Sequence, residues 1–344
     1  MYACELLWQF SVPFVIPVGS ALTAVCFSTS SYWLQSVKVS KQRSQLLSLE
    51  LSNERGDGST VHTESETLGG AELELSILFS DIENFANIVH ELTPNQLVEI
   101  MNEYLETMTN ILYKNHGVLD KYVGDAIVSM FGAPDESPQQ AAQACKTALD
   151  MQVACAKLRQ KWQNSGLWPV STCCLRARIG INTGLAIVGN FGSRAHFSYT
   201  MMGDSVNLAS RCQYIAKEYG IYNVVTHACL EQARVYLPDL HYRKLDVINF
   251  KGRYDNLVLY ELWDPTINET EAARCKLNYE NAFKAYQAKD FETAREGFTK
   301  ALHDEPYRTV CSKSPAAVLL ARTELYLREG PPVGWIGAHR IKFK

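Results

Sequence analysis

Val118-Leu-Asp-Lys-Tyr-Val-Gly124-Asp125-Ala-Ile-Val-Ser-Met-Phe131 places two β-prone runs on either side of a Gly-Asp pair. A short apolar run, a turn pair led by glycine and a second apolar run read as a tight hairpin with Asp125 at its tip. Lys121 and Asp125 have the same parity, so both are expected on one side of the hairpin. Four residues of strand span about 13 Å, however, so the two side chains serve different parts of a ligand or different sites.

Working outward, Leu73-Glu-Leu-Ser-Ile-Leu-Phe-Ser80 is a strand of the buried kind, and Pro94 opens a helix. Its Leu97, Ile100, Met101, Tyr104, Leu105, Met108, Ile111 and Leu112 recur at three and four residues, as one buried face requires. Downstream, 138–163 reads as helix, and Leu175–Asn182 with Leu185–Gly189 as a strand pair turning at Thr183-Gly184. A helix over Asp204–Glu218 and a strand over Leu257–Leu262 close the domain. This order predicts an α+β fold, a ferredoxin-like sandwich with helices over one sheet. The open face of that sheet is apolar in many places, which predicts a partner chain on it.

The 344 residues are 47% hydrophobic and 20% charged, enough for a substantial core. A net charge of -4 argues against a nucleic-acid partner. The ten cysteines form neither a CxxC pair nor a zinc spacing, so they read as reduced thiols facing the cytosol. From Leu6 to Val37 there is no charged residue, and Trp8, Tyr32 and Trp33 lie near the ends of that run. About 20 apolar residues span a bilayer, so 1–37 is expected to hold a transmembrane helix. Lys38, Lys41 and Arg43 follow it, which predicts a single-pass membrane protein with everything downstream in the cytoplasm. Residues 38–70 read as a juxtamembrane helix and a Gly-rich linker, 71–264 as the folded domain, and 271–344 as a helical extension. In that extension Ala294, Phe298, Ala301 and Pro306 match tetratricopeptide spacings; one such unit cannot bury its own face and must dock.

Chemistry concentrates at four places. Asp81 ends the first strand, with a turn at Asn84 and Phe85 behind it whose backbone amides attract phosphate. If that strand neighbours the hairpin, Asp81 and Asp125 meet at one sheet end. Two carboxylates there repel unless cations lie between them, and oxygen-only ligands suit Mg2+ or Mn2+. Asn207 and Arg211 are four apart, on one face of a helix, a suitable pair for stabilising charge on a transferring phosphoryl group. Lys251 precedes the last strand, within reach of a triphosphate.

Leu78-Phe-Ser-Asp-Ile82, Asn102-Glu-Tyr-Leu105, Leu119-Asp-Lys-Tyr-Val-Gly-Asp-Ala-Ile127, Arg178-Ile-Gly-Ile-Asn-Thr-Gly184 and Gly203-Asp-Ser-Val-Asn-Leu-Ala-Ser-Arg211 together resemble the class III nucleotidyl cyclase catalytic domain, over about Leu73 to Leu262. The resemblance implies a homodimer with two sites in the cleft between protomers, acting on ATP with two metal ions per site. It assigns Asp81, Asp125 and the carbonyl of Ile82 to the metals. Lys121 and Thr200 become the adenine-reading pair, Asn207 the ribose-orienting residue, Arg211 the transition-state arginine and Lys251 a triphosphate ligand. Thr200 stands where many adenylyl cyclases carry Asp, as in a bicarbonate-responsive subgroup. Guanylyl cyclases typically carry Glu and Cys at the positions of Lys121 and Thr200. Asn84 and Ala86 stand where relatives often show Gly and Thr. The tail resembles the C-terminal extension of bacterial membrane adenylyl cyclases. The alternatives are a guanylate cyclase, or a silent dimerisation module; the latter predicts a missing metal or transition-state residue, and none is missing. A diguanylate cyclase would carry a Gly-Gly-Asp/Glu hairpin where this chain has Val123-Gly124-Asp125.

Overall fold

The computed structural model describes residues 68–193, 196–250, 256–265, 267–306 and 313–341. They fall in one unit, Glu66–Lys344. The expected membrane span, nearly all of the linker and Lys251 lie outside the described residues. Among the described residues no helix is long and apolar enough to cross a membrane.

The chain runs β1 (Gly69–Ile82), α1 (Phe85–Glu91), α2 (Pro94–Lys114), β2 (Val118–Val123), β3 (Ala126–Phe131), α3 (Gln140–Ser165), α4 (Val170–Cys173), β4 (Ala177–Ser193), β5 (His196–Met202) and α5 (Asp204–Tyr219). It continues through β6 (Asn223–Thr226), α6 (His227–Tyr236), β7 (Tyr242–Phe250), β8 (Leu257–Leu262), α7 (Glu269–Gln287), α8 (Phe291–His303), α9 (Pro315–Glu329) and β9 (His339–Ile341). One nine-stranded sheet results, ordered β2-β3-β1-β4-β6-β8-β7-β9, with β5 paired to β4.

Two expectations need correction. Thr183-Gly184 is not a turn: β4 runs straight through it and pairs with β1 from Ala177 to Asn190, Thr183 opposite Ser76 and Gly184 opposite Leu75. The hydroxyls of Ser76 and Thr183 share a hydrogen bond of 2.7 Å, and a Cβ on Gly184 would stand 2.7 Å from Ser205 Oγ. The glycine is therefore there for close packing, and the true hairpin joins β4 to β5. Likewise Gly69 and Gly70, read as the end of a linker, already belong to β1. They lie opposite Asn190 and Gly189, and a Cβ on Gly189 would be 2.1 Å from the Gly69 carbonyl oxygen.

Helices cover both faces of the sheet. Ile179 and Ile181 of β4 join a core with Tyr104, Met108 and Leu112 of α2, Ala148 and Met151 of α3, and Leu230 of α6. Gly180, between them, faces the other way, where a Cβ would lie 2.1 Å from the Gln213 amide nitrogen and 2.5 Å from the Ala209 carbonyl oxygen of α5. Only glycine lets α5 approach that closely, and the approach determines where every side chain of α5 points. A second core joins Cys212, Ile215 and Tyr219 of α5 to Leu245 and Val247 of β7 and to Tyr279, Phe283, Tyr286 and Phe298 of α7 and α8. Trp335 closes it, its ring 5.0 Å from Tyr286 and 5.4 Å from Tyr326.

Two buried ion groups tie the extension to the sheet. Arg243 of β7 meets Glu261 at 2.6 Å and Glu305 at 2.7 Å, all three essentially without exposure. Arg322 of α9 meets Asp246 at 2.7 Å and donates to the Tyr219 hydroxyl at 3.0 Å, with Tyr219 also bonded to Asp246. Beside that group His339 of β9, opposite Ile248, is held neutral: burial first, then the charge of Arg322, push its pKa from 6.5 down to about 4. A histidine depressed in the fold binds its proton more readily once unfolded, so stability is full above pH 6.5 and lost as pH falls toward 4. The expected loss is roughly 2–3 kcal/mol. Denaturant unfolding at pH 7 and pH 4.5 should show a larger drop for the native chain than for His339→Asn; equal drops would refute the assignment.

Candidate active site

β1 delivers Asp81 to its C-terminal end by pairing with β3, Ser80 opposite Ile127. The β2–β3 turn delivers Asp125, its tightness made possible by Gly124 at φ 64. The Ile82 amide donates to Asp125 Oδ2 at 3.0 Å, closing the two segments together. Burial pushes the Asp125 carboxyl up to about 7, and the adjacent Asp81 carboxylate adds to the rise. Two carboxyls so placed cannot both ionise cheaply alone, and a hard dication between them removes the conflict. The donor chemistry therefore fits Mg2+ or Mn2+. Of Ile82, the contact seen is its N–H to Asp125, whereas the resemblance assigned its carbonyl. Among the described residues no cluster of three or more acidic, histidine or cysteine side chains competes for a metal.

Behind this pair, Asn84 adopts the left-handed conformation, φ 54 and ψ 34, at the start of α1. Asparagine tolerates that region better than any other residue with a Cβ, which explains how the turn keeps its shape where relatives often carry glycine. Asn84 is exposed, while Phe85 is half-buried against the first core. Glu83 is anchored by an ion pair with Arg178 and by Tyr222, whose hydroxyl donates to it at 3.3 Å.

Lys121 of β2 and Thr200 of β5 meet although 79 residues apart: Nζ donates to the Thr200 hydroxyl at 3.2 Å. β2 is irregular just before Lys121. Its register against β3 shifts between Leu119 and Lys121, leaving Asp120 as an extra residue. A bulge re-aims the side chains around it, and beyond it Lys121, Tyr122 and Val123 pair regularly with β3 up to the turn.

On α5, Asn207 is exposed and Arg211 half-buried, with its guanidinium 5.3 Å from the centre of the Phe250 ring. Gln213 of the same helix donates to Asp81 Oδ2 at 3.3 Å. A helix turns about 100° per residue, so Gln213 and Arg211 lie about 200° apart around its axis. The helix thus points Gln213 at its own Asp81 and turns Arg211 away. Sequence reasoning missed Gln213 and Asp120, since neither stands in a pattern until the chain is folded.

A mixed sheet covered by helices carries paired carboxylates at one end and a Lys–Thr pair nearby, an arrangement whose donors suit a hard dication. The adenylate and guanylate cyclase catalytic domain model matches residues 71–263, and the chain belongs to that family. Adenylate cyclase 1 of Rhizobium meliloti (strain 1021) is 30% identical over 201 residues, 58% of this chain and 29% of the relative. The adenylate cyclase of Anabaena cylindrica is 28% identical over 198 residues, 55% of this chain and 36% of the relative. The crystal structure of the adenylyl cyclase CyaB from P. aeruginosa is 31% identical with a TM-score of 0.51, covering 57% of this chain and 97% of that one. The chain thus spans about a third of the length of these two curated relatives.

Proposed function

We propose that this chain is an adenylate cyclase, converting ATP to 3′,5′-cyclic AMP and pyrophosphate at two equivalent sites of a homodimer. The observation that carries the choice of base is the Lys121–Thr200 contact, which joins a cationic donor to a hydroxyl at one point. The family takes in both adenylate and guanylate cyclases, so the base must be argued from these side chains.

Two cations, Mg2+ or Mn2+, held by Asp81, Asp125 and the Ile82 main chain, would supply Lewis acidity at the ribose 3′-oxygen and neutralise the leaving phosphates. Lys121 and Thr200 hold the adenine edge, Asn207 orients the ribose, and Lys251 with the amides at Asn84 and Phe85 grips the triphosphate. The 3′-hydroxyl releases its proton to solvent, and its oxygen forms a bond to the α-phosphorus as the bond to pyrophosphate breaks. Arg211 offsets the charge that develops at phosphorus. No covalent protein intermediate is needed.

The test is incubation of the purified chain with ATP or GTP plus Mn2+ and identification of the product. Cyclic AMP is expected; a preference for cyclic GMP would make it a guanylate cyclase, and no product would leave a silent dimerisation module. We also assign the chain to the Thr-containing, bicarbonate-responsive subgroup. Bicarbonate should raise the rate at fixed pH, and a flat titration against matched chloride would remove that assignment. The segment 1–37 we read as holding a single membrane span with the catalytic domain in the cytoplasm; a chain recovered entirely outside the membrane fraction would refute it.

A further inference from the structure

The carboxylate of Asp120 stands at the one place where the cyclase reading needs a choice between purines. Its side chain is 3% exposed, that of Lys121 beside it 51%. The irregularity in β2 breaks the alternation at this point, which lets two consecutive side chains approach one partner across the sheet. Lys121 Nζ lies 3.4 Å from Asp120 Oδ2 and 3.2 Å from the Thr200 hydroxyl. Burial raises the pKa of the Asp120 carboxyl, and the neighbouring Thr200 hydroxyl and then the Lys121 ammonium counter that rise. Thr200 itself is 6% exposed, so this three-membered group has a buried back and only the lysine reaching out.

Count the protons. A lysine ammonium donates only, an ionised carboxylate accepts only, and a hydroxyl has one hydrogen and two lone pairs. Lys121 occupies one lone pair of Thr200. Between Thr200 and Asp120 the hydrogen must come from the hydroxyl. What remains facing the ligand is a single lone pair, next to the remaining N–H groups of Lys121.

We propose that Asp120 sets the purine preference: by holding the Thr200 proton it makes Thr200 an obligate acceptor beside the Lys121 donor. That edge complements adenine, which presents an amino donor next to an acceptor ring nitrogen. Guanine presents the reverse, a carbonyl acceptor next to an N–H donor, and would meet two mismatches. Without Asp120 the hydroxyl can rotate and donate, so guanine's carbonyl becomes acceptable. A threonine, ambiguous alone, is thereby given the polarity of a carboxylate without its charge. The inference rests on the reading of Lys121 and Thr200 as the base-holding pair.

The test measures kcat/KM for ATP and for GTP in the full chain, with Asp120→Ala and Asp120→Asn, each also in a Thr200→Val background. Asp120→Ala should lower the ATP-to-GTP ratio by about tenfold or more, through the Thr200 contact whose polarity Asp120 sets. Asp120→Asn keeps an oxygen acceptor for the hydroxyl and should retain most of the ratio. With Val at 200 there is no proton to hold, so Asp120→Ala should no longer move the ratio. Where the alanine variant does not fold, Asp120→Leu, close in size and without an acceptor, gives the same reading. The proposal is overturned if both nucleotides fall equally, if the change persists undiminished with Val at 200, or if Asn fails to rescue. Native protein that turns over neither nucleotide sinks the cyclase reading instead, which separates the two failures.

Discussion

Asp81→Ala and Asp125→Ala are each expected to lower turnover by at least about a thousandfold, roughly 4 kcal/mol of barrier, while the domain still folds. The two carboxyls sit together because β1 and the β2–β3 turn put them there, and the Ile82 amide fastens Asp125 in place. Either alone leaves one charge where two cations need two. The same geometry makes a second, opposite expectation for stability. Asp125 is raised to about 7 by burial and by Asp81 beside it. A carboxyl raised in the fold costs stability as pH climbs from about 4 through that value. With metal removed by chelation at pH 7 to 8, Asp81→Ala should therefore melt no lower than the native chain. Activity and melting temperature thus move independently, as expected of a site kept for function at the expense of stability. A variant retaining turnover within about tenfold, roughly 1.4 kcal/mol of barrier, would sink the metal-binding role.

The second large effect is complementation between two inactive proteins. Gln213 of α5 reaches Asp81 of its own chain, and Arg211 lies on the far side of that helix. Arg211 packs toward Phe250 instead, the residue just before Lys251. In the proposed two-fold dimer, an arginine turned from its own carboxylates would serve the other site. The exposed Leu185, Ile187, Phe197, Tyr199 and Met202 of the β4–β5 hairpin give such a dimer an apolar surface to bury. Asp81→Ala and Arg211→Ala are then each inactive alone. In a mixed dimer one site carries both lesions and the other none. Random exchange makes about half the dimers mixed, each with one intact site of two, restoring about a quarter of native activity. Zero restoration, with exchange of subunits confirmed independently, means each site is built within one chain.

The sequence by itself determined the parts that depend on local chemistry and short periods. The Gly124-Asp125 tip, the amphipathic α2, the i,i+4 pair Asn207 and Arg211 and the closing strand Leu257–Leu262 are each stated by neighbours within a few residues. Asp81 and Asp125 were legible as partners because a strand end and a hairpin tip have few places to go.

What tertiary structure alone decided lies where a residue answers to something far along the chain. Thr183-Gly184 has the composition of a turn, yet pairing with Ser76 and Leu75 of β1 holds it extended. Gly180 carries no local signal, and its meaning is the approach of α5. Lys121 meets Thr200 across the sheet, 79 residues along the chain, and the β2 irregularity that sets Asp120 beside them has no local sequence signal. Gln213 is a helix residue like its neighbours until the rotation of α5, set by that close contact with β4, aims it at Asp81. Rotation, register and bulges are fixed by packing across the sheet, so they appear only when the sheet is formed.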